Sequence, residues 1–163
     1  MTDVGETIIH IMLWGFVATG AQAAVLFGSQ RLGYSRLSLP FLIGTMFTGE
    51  RPAANAAGAV FYWLGGWLFA FIYYFLFSEL GRTAWWIGAL IGSLHGLVLL
   101  TTLAPLMPYL HPRMATEYEG PSYRRRLQPP GFLALHYGYR TPLTTLLAHA
   151  LYGAILGAGM SLH

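Results

Sequence analysis

Cysteine is absent from this chain, which excludes disulfides, iron–sulfur clusters, thiolate zinc sites and a thiol nucleophile. Lysine is absent too, so all nine basic residues are arginines. Charge of either sign is scarce: 9% of the 163 residues, against about 25% in soluble domains. The sole aspartate is Asp3, and the glutamates are Glu6, Glu50, Glu79, Glu117 and Glu119. Glu117 and Glu119 flank one tyrosine in a loop, and Glu50 and Glu79 fall at opposite faces of the membrane. No nucleophile–base–orienter set and no phosphate-cradling glycine loop can be assembled from these residues. Neither an enzyme nor a nucleic-acid partner is expected.

What fills the chain is apolar: 55% of it is hydrophobic and its mean hydropathy is positive. Crossing about 30 Å of hydrocarbon takes roughly 20 helical residues. Four stretches meet that length, Ile8–Phe27, Asn55–Phe77, Ala84–Leu103 and Thr141–Met160. Without water to satisfy their backbone groups they must be helices. The expected fold is therefore all-α: a single-domain polytopic membrane protein with four transmembrane helices in a compact bundle. Leu39–Thr48 is too short to cross and reads as an interfacial or re-entrant segment. The head of the first stretch carries Asp3 and Glu6 and no basic residue, the reverse of a signal peptide, so a retained helix is expected.

Arginine placement predicts orientation. Arg31, Arg36 and Arg51 follow the first helix, and Arg113, Arg124, Arg125, Arg126 and Arg140 follow the third, while the turn between helices two and three holds only Arg82. Such a bias places both long loops in the cytoplasm and both termini outside. The loop over residues 104–140 is rich in proline and aromatics and too apolar for a plain linker. It is expected to dock on the membrane surface or on a partner subunit. Arg124, Arg125 and Arg126 read as contacts to lipid headgroups.

Small residues at four-residue spacing let membrane helices approach closely. Helix three offers Gly88, Gly92 and Gly96, and helix four Gly153, Gly157 and Ser161. Helix one has Gly20, Ala24 and Gly28, and helix two Gly66 and Ala70. Trp85 and Trp86 fit an interfacial belt, whereas Trp63 and Trp67 lie deeper, facing lipid or packed between helices.

His95 and His149 share these glycine faces. At about 1.5 Å rise per residue, His95 lies roughly 20 Å below Arg82 and His149 roughly 13 Å from Arg140. Both fall near the midplane, where an ionisable side chain is a functional-site candidate. Three readings stay open. The pair could hold haem b, with Gly92, Gly96 and Gly153 admitting the porphyrin. Each histidine could instead hydrogen-bond across the bundle, to Thr101, Thr102, Thr145 or Tyr152. The pair could also relay protons. A separate mix of thioether and imidazole, Met107, His111 and Met114, suits Cu(I), although Pro105, Pro108 and Pro112 equally mark an ordinary helix exit. His10, His136 and His163 form no motif.

Four stretches carry a family resemblance: Ile43-Gly-Thr-Met-Phe-Thr48, His95-Gly with His111-Pro-Arg-Met114, Pro-Pro-Gly-Phe-Leu-Ala-Leu at 129–135, and Leu147-Ala-His149-Ala-Leu-Tyr-Gly153. Through them the chain resembles a recurrent group of bacterial four-helix membrane proteins, and more distantly it is similar to YagU-like inner-membrane proteins. The resemblance implies architecture and a bacterial inner-membrane location, and brings no activity, cofactor or catalytic residue with it. The expected role is that of an accessory or structural subunit that meets other membrane subunits or a second copy. A haem- or metal-binding redox protein and a small proton-linked transporter are the alternatives.

Overall fold

The computed structural model describes residues 4–116 and 120–160. Asp3, Glu117, Glu119, Ser161 and His163 lie outside the described residues. Among those described, every regular element is helical: α1 (Val4–Arg31), α2 (Leu39–Phe47), α3 (Arg51–Leu80), α4 (Trp85–Val98), a π-helical turn (Leu99–Leu103), α5 (Ala104–Leu110), a 3-10 stretch (Phe132–Tyr137) and α6 (Thr141–Met160). Four helical runs are long and apolar enough to cross a membrane: Val4–Arg31, Arg51–Leu80, Trp85–Leu110 and Thr141–Met160. The all-α, four-span expectation holds, and α6 begins at Thr141.

The first three runs are longer than the apolar stretches that announced them. A helix of 28 residues reaches about 42 Å at 1.5 Å per residue, so its ends extend past the hydrocarbon into the headgroup layer. The largest correction concerns the loop expected over 104–140. Pro105 and Pro108 do not end the third span; the helix runs on to Leu110. Proline lacks an N–H and its ring crowds the carbonyl four residues back. The chain absorbs both problems by widening one turn, so that the Ala104 N–H bonds the Leu99 carbonyl five residues earlier. Single π turns of this kind are the usual way a helix takes in such a misfit.

The contacts resolve into two compact units, one comprising residues up to Val25, Trp63–Gly96 and the residues from Leu146, the other Leu26–Tyr62 and Leu97–Thr145. The first has a core of Ile11, Ala18, Ala70, Tyr73, Phe77, Ile87, Tyr152, Leu156 and Met160. Helix contact there is close because small residues meet. Gly15 lies against Ala70, and Thr19 packs over Gly66. Gly88 faces Gly153 and Gly157, and Gly92 faces the His149 backbone. Gly28, by contrast, has no heavy atom within 4 Å of where a Cβ would stand, so the expected ladder on α1 is not a seam at that point. Trp63 stacks on Phe16 with centroids 4.5 Å apart, and Trp67 Nε1 donates to the Met12 carbonyl at 3.0 Å.

The second unit contains α2, the short segment that does not cross. Ser38 caps it, its hydroxyl accepting from the Phe41 N–H at 3.4 Å, and Pro40 sits in the first turn where a missing N–H costs nothing. Gly44 meets the Ala54 backbone and Gly58 the Pro40 backbone, another close helix crossing. The described part of the proline-rich stretch after α5 is held by hydrogen bonds. Arg113 and Ala115 bracket Leu127 through two backbone bonds of 3.0 Å. Farther on, Leu133 and Ala134 adopt φ of 54° and 53°, a left-handed backbone costing about 1–2 kcal/mol per residue. Several bonds hold them there: Ala134 N–H to the Gly131 carbonyl, 3.0 Å; His136 N–H to the Pro130 carbonyl, 3.1 Å; and Tyr137 Oη to the Gln128 carbonyl, 2.6 Å. The Arg36 N–H then donates to the Tyr137 carbonyl at 2.7 Å, and the buried hydroxyls of Ser35 and Thr141 meet at 2.9 Å. The loop thus docks on the α1–α2 connection of its own chain.

Candidate functional site: a histidine pair beside the glycine seam

The site in the first unit begins with glycine. Gly88, Gly92 and Gly153 lack the Cβ that would collide with the opposing backbone, so α4 and α6 touch main chain to main chain. At Gly92 the touching backbone is that of His149, and Gly96 lies beside the His149 side chain. This proximity forces the two imidazoles together. Their ring centroids are 4.9 Å apart with planes at 78°, an edge-to-face pair. His149 is 2% exposed, and His95 is half-buried.

A third group comes from α3. Tyr73, 2% exposed, lies with its hydroxyl 3.4 Å from His95 Nδ1, and Phe69 packs on the His95 ring at 4.1 Å between centroids. Tyr73 was not among the expected partners. Its signal is hidden in an aromatic run from Phe69 to Phe77, but it is three residues after Ala70 and seven after Gly66, on the small-residue face. Among the expected partners, Tyr152 donates to the Gly66 carbonyl at 2.6 Å, and the Thr101 hydroxyl returns to the Leu97 carbonyl at 2.8 Å. Tyr152 meets Tyr73 edge to face at 5.5 Å, which completes a buried aromatic wall. No hydrogen bond joins His95 Nε2 to any described residue.

This geometry bears on the haem reading. A porphyrin between two imidazoles needs their nitrogens aimed at one iron from opposite faces, with a slot for the macrocycle. Here the rings are packed edge to face, and Gly92 and Gly153, expected to open that slot, are filled by the opposing backbone. In this arrangement there is no gap for a macrocycle between His95 and His149.

The Met107, His111 and Met114 group lies in the second unit and has a different use. His111 is 2% exposed, and both ring nitrogens are engaged. Nδ1 accepts from the Arg113 N–H at 3.1 Å, while Nε2 is 3.0 Å from the Leu42 carbonyl and 3.1 Å from the Thr45 hydroxyl. Arg113 caps the end of α2, donating to the carbonyls of Thr45 at 2.7 Å and Met46 at 3.1 Å. Met114 is fully buried against Leu37 and Leu42, with Met107 beside them. A metal at His111 would have to displace protein partners. The group clamps the loop to α2. Burial, and then the Arg113 charge, hold the His111 imidazole below its ordinary pKa.

The remaining singled-out residues stay apart from these clusters. His10 Nε2 lies 3.2 Å from the Gly159 carbonyl, and His136 Nδ1 lies 2.9 Å from that of Pro129. In the run Arg124–Arg126, Arg126 stacks on Tyr123 at 5.1 Å and bonds its carbonyl at 3.1 Å.

Fold and site together define a multi-pass helical membrane protein in which Tyr73, His95 and His149 meet between membrane-capable helices. Comparison with protein-family models, curated proteins and solved structures found no match.

Proposed function

We propose that the chain is a non-catalytic protein of the bacterial inner membrane, its long loops cytoplasmic, serving as an accessory subunit of a larger membrane assembly. His95 carries this reading. It sits in the middle of a membrane-capable helix, its Nδ1 directed at Tyr73, and its Nε2 lacks a hydrogen-bond partner among the described residues. A polar group left unpaired in an apolar medium costs about 2–7 kcal/mol. A group supplied by a neighbouring subunit removes that cost. The orientation rests on the arginines that flank the spans.

Native-size analysis in mild detergent tests the proposal. The expected result is a particle larger than one copy that shrinks when His95 is changed to Leu while helicity stays intact. A wild-type monomer that co-purifies with nothing would sink the subunit reading. An absorption spectrum of the same sample, oxidised and then dithionite-reduced, is expected to lack a Soret band.

A second reading is favoured by one further observation: Tyr73, His95 and His149 form a contiguous file of protonatable groups. Such a file suits proton handling. On that reading, His149→Ala and Tyr73→Phe would each abolish a proton flux measured in proteoliposomes, with the fold retained.

A further inference from the structure

In the second unit, the exit of α1 and the start of α6 are stapled side by side. The staple consists of the Ser35–Thr141 hydroxyl pair at 2.9 Å, the Arg36 N–H on the Tyr137 carbonyl at 2.7 Å, and Gly138, at φ 128°, lying against the Tyr34 carbonyl. It gathers cations. Arg31 ends α1, Arg36 lies in the stapled segment and Arg140 immediately precedes α6. Like charges brought together this way repel unless something neutralises them. Yet all three are exposed, and none forms an ion pair with any described residue.

Their partners are rings and a carbonyl. Arg140 lies over Tyr34 at 4.6 Å and Tyr139 at 5.2 Å, Arg31 over Phe27 at 4.5 Å, and Arg36 donates to the His136 carbonyl. Stacking occupies a guanidinium's face and leaves its N–H edge free, the edge that matches phosphate oxygens in a bidentate fork. Close to these arginines in the chain are exposed Leu32, Leu143 and Tyr139, side chains suited to acyl chains and to the headgroup border. The cluster also sits at the ends of two membrane-capable helices, where a lipid phosphate lies.

We propose that Arg31, Arg36 and Arg140 form a binding site for the phosphate of an anionic phospholipid. The choice of leaflet rests on the orientation proposed above, because anionic lipid dominates the surface potential on the cytoplasmic side. The binding itself does not depend on that orientation.

The experiment is native mass spectrometry of the full chain in mild detergent, titrated with phosphatidylglycerol, phosphatidylcholine or inorganic phosphate. Wild type is expected to retain phosphatidylglycerol and release phosphatidylcholine. Changing all three arginines to Gln should weaken retention by about a hundredfold, since each basic group at an anionic surface contributes roughly fivefold. Changing Arg51 and Arg82 to Gln removes exposed charge elsewhere and should leave retention unchanged. Equal loss per arginine in both variants would mean diffuse attraction and overturn the site. So would retention of phosphatidylcholine, or an equal response to inorganic phosphate. Orientation is read separately, from labelling of a single cysteine placed at Gly120 by a membrane-impermeant maleimide in spheroplasts. External labelling would reverse the leaflet without touching the binding result.

Discussion

Gly92→Ala, Gly88→Ala and Gly153→Ala should each destabilise the protein by about 2 kcal/mol or more, and Gly92→Val should prevent it from folding. A methyl at Gly88 would collide with the Gly153 backbone, one at Gly92 with the His149 backbone, and one at Gly153 with the Gly88 backbone. Overpacking commonly costs about 1–3 kcal/mol even where a side chain can yield. Main chain cannot rotate away, so α4 and α6 have to separate. The driving force is lost with the separation, because lipid is as apolar as the helix surface and close van der Waals contact is what joins helices in a membrane. Separation also parts His149 from His95, so the histidine pair depends on glycines that never touch a ligand. Gly65→Ala and Gly28→Ala are the matched controls. Nothing lies within 4 Å of a Cβ at either position, so each should be neutral or up to about 1 kcal/mol stabilising by helix propensity. Circular dichroism during unfolding in a detergent series measures all five alanine variants. If Gly92→Ala proves as mild as Gly28→Ala, the seam is not what holds these helices together.

How far the sequence could be read varied with the physics involved. Span number and helical type were legible because the bilayer permits so few alternatives. The start of α6 was legible because Thr141 and Pro142 suit a first turn. That His95 and His149 lie at one depth was legible, since two glycine faces carry them to the same level; that their rings meet was not, because helix order in the bundle has no signature in the sequence. Continuation of the third span was not. Pro105 and Pro108 are local stop signals, and the π turn that absorbs them has no composition of its own. The clamp made by the His111 cluster was illegible for another reason. Met and His near one another suggest soft-metal ligands, whereas the groups that hold the ring, Thr45 and Leu42, lie 66 and 69 residues earlier in the chain. Gly44 and Gly58 were passed over similarly, as their crossing partners Ala54 and Pro40 sit in segments too short or too polar to read as spans.

The His111 clamp leads to the second large effect. His111→Ala should destabilise the protein by about 2–3 kcal/mol, because it leaves the Arg113 N–H without its acceptor, at about 1–3 kcal/mol where no water replaces it, and removes the buried ring that ties that amide to Leu42 and Thr45. His111→Asn should cost less. Its amide oxygen can still accept from Arg113 N–H, as Nδ1 does at 3.1 Å, while the reach to Leu42 is lost. Thr45→Val leaves Nε2 its carbonyl and should cost about 1 kcal/mol. The pH response has a defined sign. Nδ1 accepts a backbone N–H, so adding a proton there sets two donors against each other, and burial disfavours the charge as well. The folded-state pKa is therefore below that of the unfolded chain, near 6.5. As pH falls through that value, the unfolded chain binds a proton that the native one refuses, and stability drops. The slope approaches about 1.4 kcal/mol per pH unit, until the native ring also takes up a proton. Unfolding of wild type and His111→Asn, compared from pH 7.5 to 5, isolates this contribution from the other histidines. Wild type should lose more stability over that range than the variant, and identical slopes would show that His111 is not held neutral by its clamp.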